Sequence, residues 1–245
     1  MSTPPSATVI REVTKGVWTF SKPFSRLGVW PIGGRSTAIQ LHNGGVWVLA
    51  STPLDADTKK KLEELGPVKY IVGADAVHNL FLSDFKKQYP EAKLIVPADA
   101  IPRIDDKELK FDGVWGRDPP ATKYGFEDEI DWCYFSGFKN KDIAFLHKPS
   151  KSLIEADLLM NLVSIKEQYA NTKKPSNFLG LGSFGPHSWI HARLIWSLGK
   201  NVEEMRRDAK TVSGWDFQRI IPCHGDVIET DAKKAWNDVY RHFLN

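Results

Sequence analysis

The stretch Val68-Lys69-Tyr70-Ile71-Val72-Gly73-Ala74-Asp75-Ala76-Val77-His78 runs five strand-forming residues into a short loop that carries a carboxylate and an imidazole. Beyond it, Asn79 to Tyr89 sets Phe81, Phe85 and Tyr89 at four-residue spacing, which predicts a helix, and Lys93 to Val96 reads as the next buried strand. Strand, loop, helix, strand is the building unit of an α/β layer structure. In that architecture, polar groups just past a strand end are the ones offered for chemistry.

Toward the N-terminus, Val17 to Phe20 and Ser36 to Leu41 are β-prone, and His42-Asn43-Gly44-Gly45 is a turn signal before Val46 to Ala50, so a hairpin is expected. Asp57 to Leu65 reads as a short helix stopped by Gly66-Pro67. Toward the C-terminus, Asp99 to Tyr124 mixes Pro, Gly and charge without periodicity and predicts a surface excursion with no assigned element. Strands are then expected at Ile130 to Phe135, Asp142 to His147 and Ser152 to Ala156, which suggests a second sheet. Helices follow at Trp189 to Leu198 and Val202 to Val212, then a strand at Arg219 to Pro222 and a helix at Asp231 to Phe243. The whole chain, residues 1–245, reads as one domain.

The net charge is only +3, with 33 Lys and Arg against 30 Asp and Glu and no long run of one sign, so no nucleic-acid partner is expected. No apolar stretch is long enough for a bilayer, and Met1 to Ala7 lacks the basic and apolar segments of a secretory signal. Cys133 and Cys223 are too few for a disulfide framework, so a cytoplasmic setting is expected. Nine Trp and thirteen Phe are explained first by core packing and second by an aromatic pocket.

Three places put a ligating side chain directly after an apolar strand: Asp75 with His78, Asp157, and His224. Asp75 and His78 also fit a helix cap and its first turn. Asp157, embedded between Ala156 and Leu158, needs a partner if buried, whether a metal, a helix N-terminus or a cation. His224 ends a buried strand in Ile221-Pro222-Cys223-His224-Gly225, where Gly225 permits a tight turn. His187 and His191, four residues apart on an expected helix, form a weaker ligand pair or simply line a surface. Gly180 to Gly185 reads as a loop over the site rather than a phosphate cradle, and Cys223 as a thiol ligand, a nucleophile or inert packing. His147 and Cys133 are expected to face neighbours rather than substrate.

The order of these segments resembles the metallo-β-lactamase superfamily, and more closely the DUF4336 group, in which an Asp-x-x-His loop, a segment like Tyr89-Pro90-Glu91-Ala92-Lys93 and a Pro-x-His-Gly segment recur. The resemblance implies an αββα sandwich of two mixed sheets flanked by helices, with the site at one edge. It also shows departures. The superfamily's His-x-His-x-Asp-His motif falls on Gly73, Asp75, Val77 and His78, and a further histidine expected near Gly137-Phe138 is absent.

What survives is His78, Asp157 and His224 as ligands for one divalent metal, Zn ahead of Fe or Mn, with Asp75 as catalytic residue, either a fourth ligand or the base that orients a water. The expected activity is metal-dependent hydrolysis of a small organic substrate. A non-catalytic descendant of the fold that binds a small ligand or a protein is the second reading left open.

Overall fold

The computed structural model describes residues 8–172 and 184–245. The chain begins with the antiparallel strands β1 (Val9–Thr14) and β2 (Val17–Lys22), followed by a two-residue hairpin, β3 (Ser25–Arg26) with β4 (Trp30–Pro31). Strands β5 (Gly34–Gln40) and β6 (Val46–Leu49) form the expected hairpin around the His42–Gly45 turn. Helix α1 (Ala56–Leu65) is capped by Asp55, whose side chain accepts the Thr58 N–H, and it ends at Gly66. There follow β7 (Val68–Val72), α2 (Leu82–Gln88) and β8 (Lys93–Pro97). Helix α2 starts three residues later than periodicity suggests, because Asp75 to Phe81 is spent on loop geometry at the sheet edge.

The Asp99 to Tyr124 excursion is not featureless. It contributes a 3-10 turn at Ala98–Arg103 and the edge strand β9 (Gly113–Trp115), which pairs with β8. The second half holds β10 (Ile130–Tyr134), β11 (Ile143–His147), β12 (Ser152–Glu155), a 3-10 turn at Glu167–Tyr169, α3 (Trp189–Leu198), α4 (Val202–Gly214), β13 (Arg219–Pro222) and α5 (Ala232–Leu244).

Two mixed sheets result, in the orders β1-β2-β5-β6-β7-β8-β9 and β10-β11-β12-β13. Their inner faces meet in one core: Ile39, Trp47, Val72 and Ile95 from the first sheet pack on Ile143, Phe145, Ile154 and Ile221 from the second. On the outer face of the first sheet, Leu62 and Phe85 of α1 and α2 cover Val48, Ile71 and Leu94. On the outer face of the second, α3, α4 and α5 bring Ile195, Met205 and Trp236 onto Ala144, Leu153 and Ile220. Both faces of the central strands are therefore covered, which is why β6 and β11 read as continuous apolar runs rather than alternating ones. This is an αββα sandwich. Among the described residues, no helix is long and apolar enough to cross a membrane.

Candidate metal centre

The candidate ligands leave the two sheets at the same edge. Residues 73–78 follow β7, and the loop is stitched to the second sheet where Ile143 N–H donates to the Ala74 carbonyl (2.9 Å) and Ala76 N–H to the Asn140 carbonyl (2.8 Å). Gly73 is closely packed: a Cβ would lie 3.1 Å from Leu82 and 3.2 Å from Val96, so any side chain there would have to push these neighbours aside. Val77 is exposed at the rim. Phe138 is fully buried, and the nearby donor that reaches the site is Asn140, whose Nδ2 donates to Asp157 Oδ2 at 2.6 Å.

His78, Asp157 and His224 are the group among the described residues whose ligand atoms all lie within 4.8 Å of one another. His78 Nε2 faces His224 Nε2 at 3.1 Å, and Asp157 Oδ1 lies 3.4 Å from His224 Nε2. The remaining ring nitrogens are spoken for. His78 Nδ1 is 2.9 Å from Asp75 Oδ2, and His224 Nδ1 is 2.7 Å from the Gly33 carbonyl. A carboxylate and a carbonyl can only accept, so both Nδ1 atoms carry the proton and both Nε2 atoms carry a lone pair in the neutral rings. Two lone pairs aimed at each other repel unless a proton or a metal cation lies between them. The separations are close to the edge of about 3.3 Å that a tetrahedral zinc with ligands at about 2.0–2.1 Å requires. The donor set therefore fits a divalent metal.

Asp75 is fully buried, with Oδ1 accepting the N–H groups of Val77 and His78 (both 2.7 Å) and Oδ2 turned onto His78 Nδ1. It sits behind His78, not among the three converging ligand atoms. Burial works against an imidazolium at His78, but the charges of Asp75 and Asp157 and the hydrogen bond to Asp75 outweigh it and lift its pKa to about 9. Burial likewise opposes charge on Asp157, yet the two histidines and Asn140 hold its carboxyl well below the usual range. Below these groups lie two further buried acids. Asp142 Oδ2 accepts the Asp157 N–H (2.7 Å) and Glu155 Oε2 accepts the Leu159 N–H (3.1 Å). Burial, reinforced by neighbouring carboxylates, raises both above their ordinary values.

The turn bearing His224 is held on every side. Gln168 donates to the Cys223 carbonyl and accepts the Gly225 N–H, both at 2.9 Å. Arg35, fully buried in β5, donates to the Pro222 (2.6 Å) and Gly225 (2.7 Å) carbonyls and is neutralised by Glu167 at 2.9 Å. Gly225 has φ +85, and a Cβ there would sit 1.9 Å from the Asn161 carbonyl oxygen. Arg35, Gln168, Asn140 and Gly33 escape a reading based on ligand types. The one signal for them is an arginine inside the otherwise uncharged strand Gly34–Gln40.

The other histidines go elsewhere. His187 precedes α3, whose cap is Ser188, and it pairs with Asp238 at 2.7 Å. His191 is fully buried, with Nδ1 at 3.1 Å from the Gly185 carbonyl and Nε2 accepting the Met160 N–H at 3.4 Å. They form no pair, because the helix begins between them. The Gly180 to Gly185 loop lies largely outside the described residues. Cys223 lines the pocket beside Ser51 (3.5 Å), and burial keeps it a neutral thiol. Both cysteines are free and buried.

The three candidate ligands open onto a pocket of about 310 Å³ lined on its apolar side by Phe24, Ile32, Pro53, Leu80 and Phe81. Phe24 stacks toward His224 with ring centroids 6.2 Å apart.

Comparison with known proteins follows the same lines. Among solved structures, a metallo-β-lactamase from Hirschia baltica is similar at TM-score 0.62 and 10% identity, covering 97% of this chain and 98% of that one. The metallo-β-lactamase FIM-1 from Pseudomonas aeruginosa, in its mono-zinc form, is similar at TM-score 0.60 and 12% identity, covering 99% of each chain. One from Pontibacter korlensis is similar at TM-score 0.59 and 10% identity, covering 95% and 98%. At such identities the likeness speaks for the fold. No curated protein matches the sequence. The model of the family described as "Domain of unknown function (DUF4336)" matches residues 14–179. On that match and on its architecture, the chain belongs to the DUF4336 family and has the metallo-β-lactamase fold.

Proposed function

We propose that the chain is a hydrolase working with one divalent metal, zinc ahead of iron or manganese, held by His78, Asp157 and His224. The observation that carries this is the pair of Nε2 atoms facing each other at 3.1 Å with both Nδ1 atoms committed as donors. A mono-zinc form among the similar solved structures supports the count of one, as does the crowding at Gly73. When bound, the ion supplies Lewis acidity toward a substrate carbonyl and makes water more acidic.

The chain's own residues do the rest. Asp75 orients His78 and fixes its tautomer, so it acts as a positioning residue and not as the base acting directly on water. Asn140 fixes the rotamer of Asp157. The apolar wall of Phe24, Leu80 and Phe81 excludes water from part of a cavity sized for a small organic substrate. Two free thiols support a reducing, cytoplasmic setting.

A second reading has one observation in its favour. With His78 lifted to about 9, its imidazolium can donate Nε2–H to His224 Nε2, and the pocket is then self-consistent as a metal-free binding site. One experiment separates the two. Protein purified without a metal-affinity tag is analysed for metal, then assayed on small esters and lactones. One equivalent of metal fewer in His224→Ala than in wild type, with activity lost, is expected. Metal content and chelator response that His224→Ala leaves unchanged overturn the hydrolase reading.

A further inference from the structure

At the opposite end of the sandwich, three residues from three segments meet. His42 lies in the β5–β6 turn, Glu129 precedes β10 and His147 ends β11. Each of these strands begins or ends about one strand length, roughly 15–20 Å, from the pocket edge. Glu129 is fixed in place by the His42 N–H, which donates to Oε1 at 2.9 Å and Oε2 at 3.2 Å. The same Oε2 lies 3.2 Å from His42 Nδ1 and 4.0 Å from His147 Nε2.

The protonation of His147 follows from its partners. Ser150 Oγ–H donates to Ser152 Oγ at 2.9 Å, so Ser150 Oγ accepts from His147 Nδ1 at 2.7 Å. Nδ1 therefore holds the proton and Nε2 the lone pair. That Nε2 is buried, has no hydrogen-bond partner and is aimed at a carboxylate oxygen. Burial pushes His147 down to about 4 despite Glu129, so the ring stays neutral near pH 7. A buried acceptor facing another acceptor costs free energy unless something positive joins them. Lys148, the adjacent cation, is turned instead onto Asp131 (3.1 Å) and the Glu127 carbonyl (2.7 Å).

We propose that His42, Glu129 and His147 form a second divalent-cation site, distinct from the pocket and structural in role, selective for zinc-like ions. Two imidazoles and one carboxylate are a donor set for such ions rather than for Mg²⁺ or Ca²⁺. A tetrahedral zinc with ligands at about 2.0–2.1 Å sets them about 3.3 Å apart. The His42–Glu129 separation of 3.2 Å meets that, and the His147–Glu129 separation of 4.0 Å must close by about 0.7 Å as the ion binds. His42 must swing inward to complete the set, since among the described residues only the pocket group has all its donors assembled. Its side chain is 78% exposed, and the contact it makes is to Glu129, itself one of the proposed ligands. The ion would staple the β5–β6 turn of one sheet to β10 and β11 of the other.

The test is equilibrium dialysis of the full chain against micromolar Zn²⁺, with zinc per chain measured for wild type, His42→Ala, Glu129→Gln and His224→Ala. His42 is an exposed turn residue, so its replacement leaves the fold intact. The expected result is one equivalent fewer in both His42→Ala and Glu129→Gln, with the pocket equivalent retained, and a smaller zinc-induced rise in Tm than wild type shows. Equal zinc in wild type and His42→Ala overturns the site. So does a loss in His42→Ala that Glu129→Gln does not reproduce, which would mark an isolated surface histidine. Unchanged zinc in His224→Ala beside a loss in His42→Ala would sink the pocket reading and leave this one standing.

Discussion

Asp157 and His224 leave the second sheet side by side because Glu155 lies opposite Pro222 in the parallel ladder of β12 and β13, and each ligand is two residues further on. The register of one strand pair thus delivers a carboxylate oxygen to within 3.4 Å of an imidazole nitrogen across 67 residues of sequence, His224 following Asp157. The third candidate ligand, His78, comes from the other sheet, whose loop is tied across to the second by the Ala74–Ile143 and Ala76–Asn140 hydrogen bonds.

Asp75→Asn tests the positioning role. An asparagine at 75 can still accept the backbone N–H groups, but its amide can turn a donor toward His78 Nδ1 and drive the proton to Nε2. Zinc affinity should fall by about 10–100-fold, with Tm nearly unchanged. Undiminished zinc affinity in dialysis would remove Asp75 from the account.

Arg35→Lys keeps a charge in β5 but loses the fork that spans the Pro222 and Gly225 carbonyls. A buried, incompletely satisfied ammonium beside Glu167 should cost about 3 kcal/mol in urea unfolding. A loss smaller than about 0.5 kcal/mol would mean that the His224 turn is held without it.

Gly225→Ala and Gly44→Ala form a matched pair, since both glycines have positive φ, +85 and +78. Nothing lies within 4 Å of a Cβ at Gly44, so that variant carries backbone strain alone, about 1 kcal/mol. Gly225→Ala adds the clash with Asn161 and should be several kcal/mol worse or fail to fold. Equal Tm values for the two would contradict the close approach.

His191 supplies a pH dependence. Burial pushes it down to about 4, below its ordinary 6.5, so the unfolded chain takes up this proton first. Its contribution to stability is complete above pH 6.5 and is lost as the pH falls toward 4. His191→Gln should be less stable near pH 7 yet show a shallower decline over that window, as measured by urea midpoints at successive pH values. An unchanged slope would show that the ring titrates normally.

Much of the architecture was legible from periodicity. The strands Val68–Val72 and Arg219–Pro222, the helix over Ala56–Leu65 and the hairpin at His42–Gly45 all follow from local pattern, turn chemistry and capping. Strand β1 was missed because Val9–Thr14 is half-exposed and carries Arg11 and Glu12, and β9 because three residues carry no period. His187 and His191 stand four apart, but that spacing straddles the Ser188 helix cap, so the two do not share a helix face.

Local pattern could therefore mark the carboxylate and imidazoles at strand ends, since burial periodicity and turn residues act over a few neighbours. Whether those groups meet, which nitrogen of each ring faces inward, and that Arg35, Gln168 and Asn140 hold them were decided by strand register and by the packing of two sheets. Those are contacts between segments more than a hundred residues apart in the case of Arg35 and the His224 turn, and no short window of sequence contains both partners.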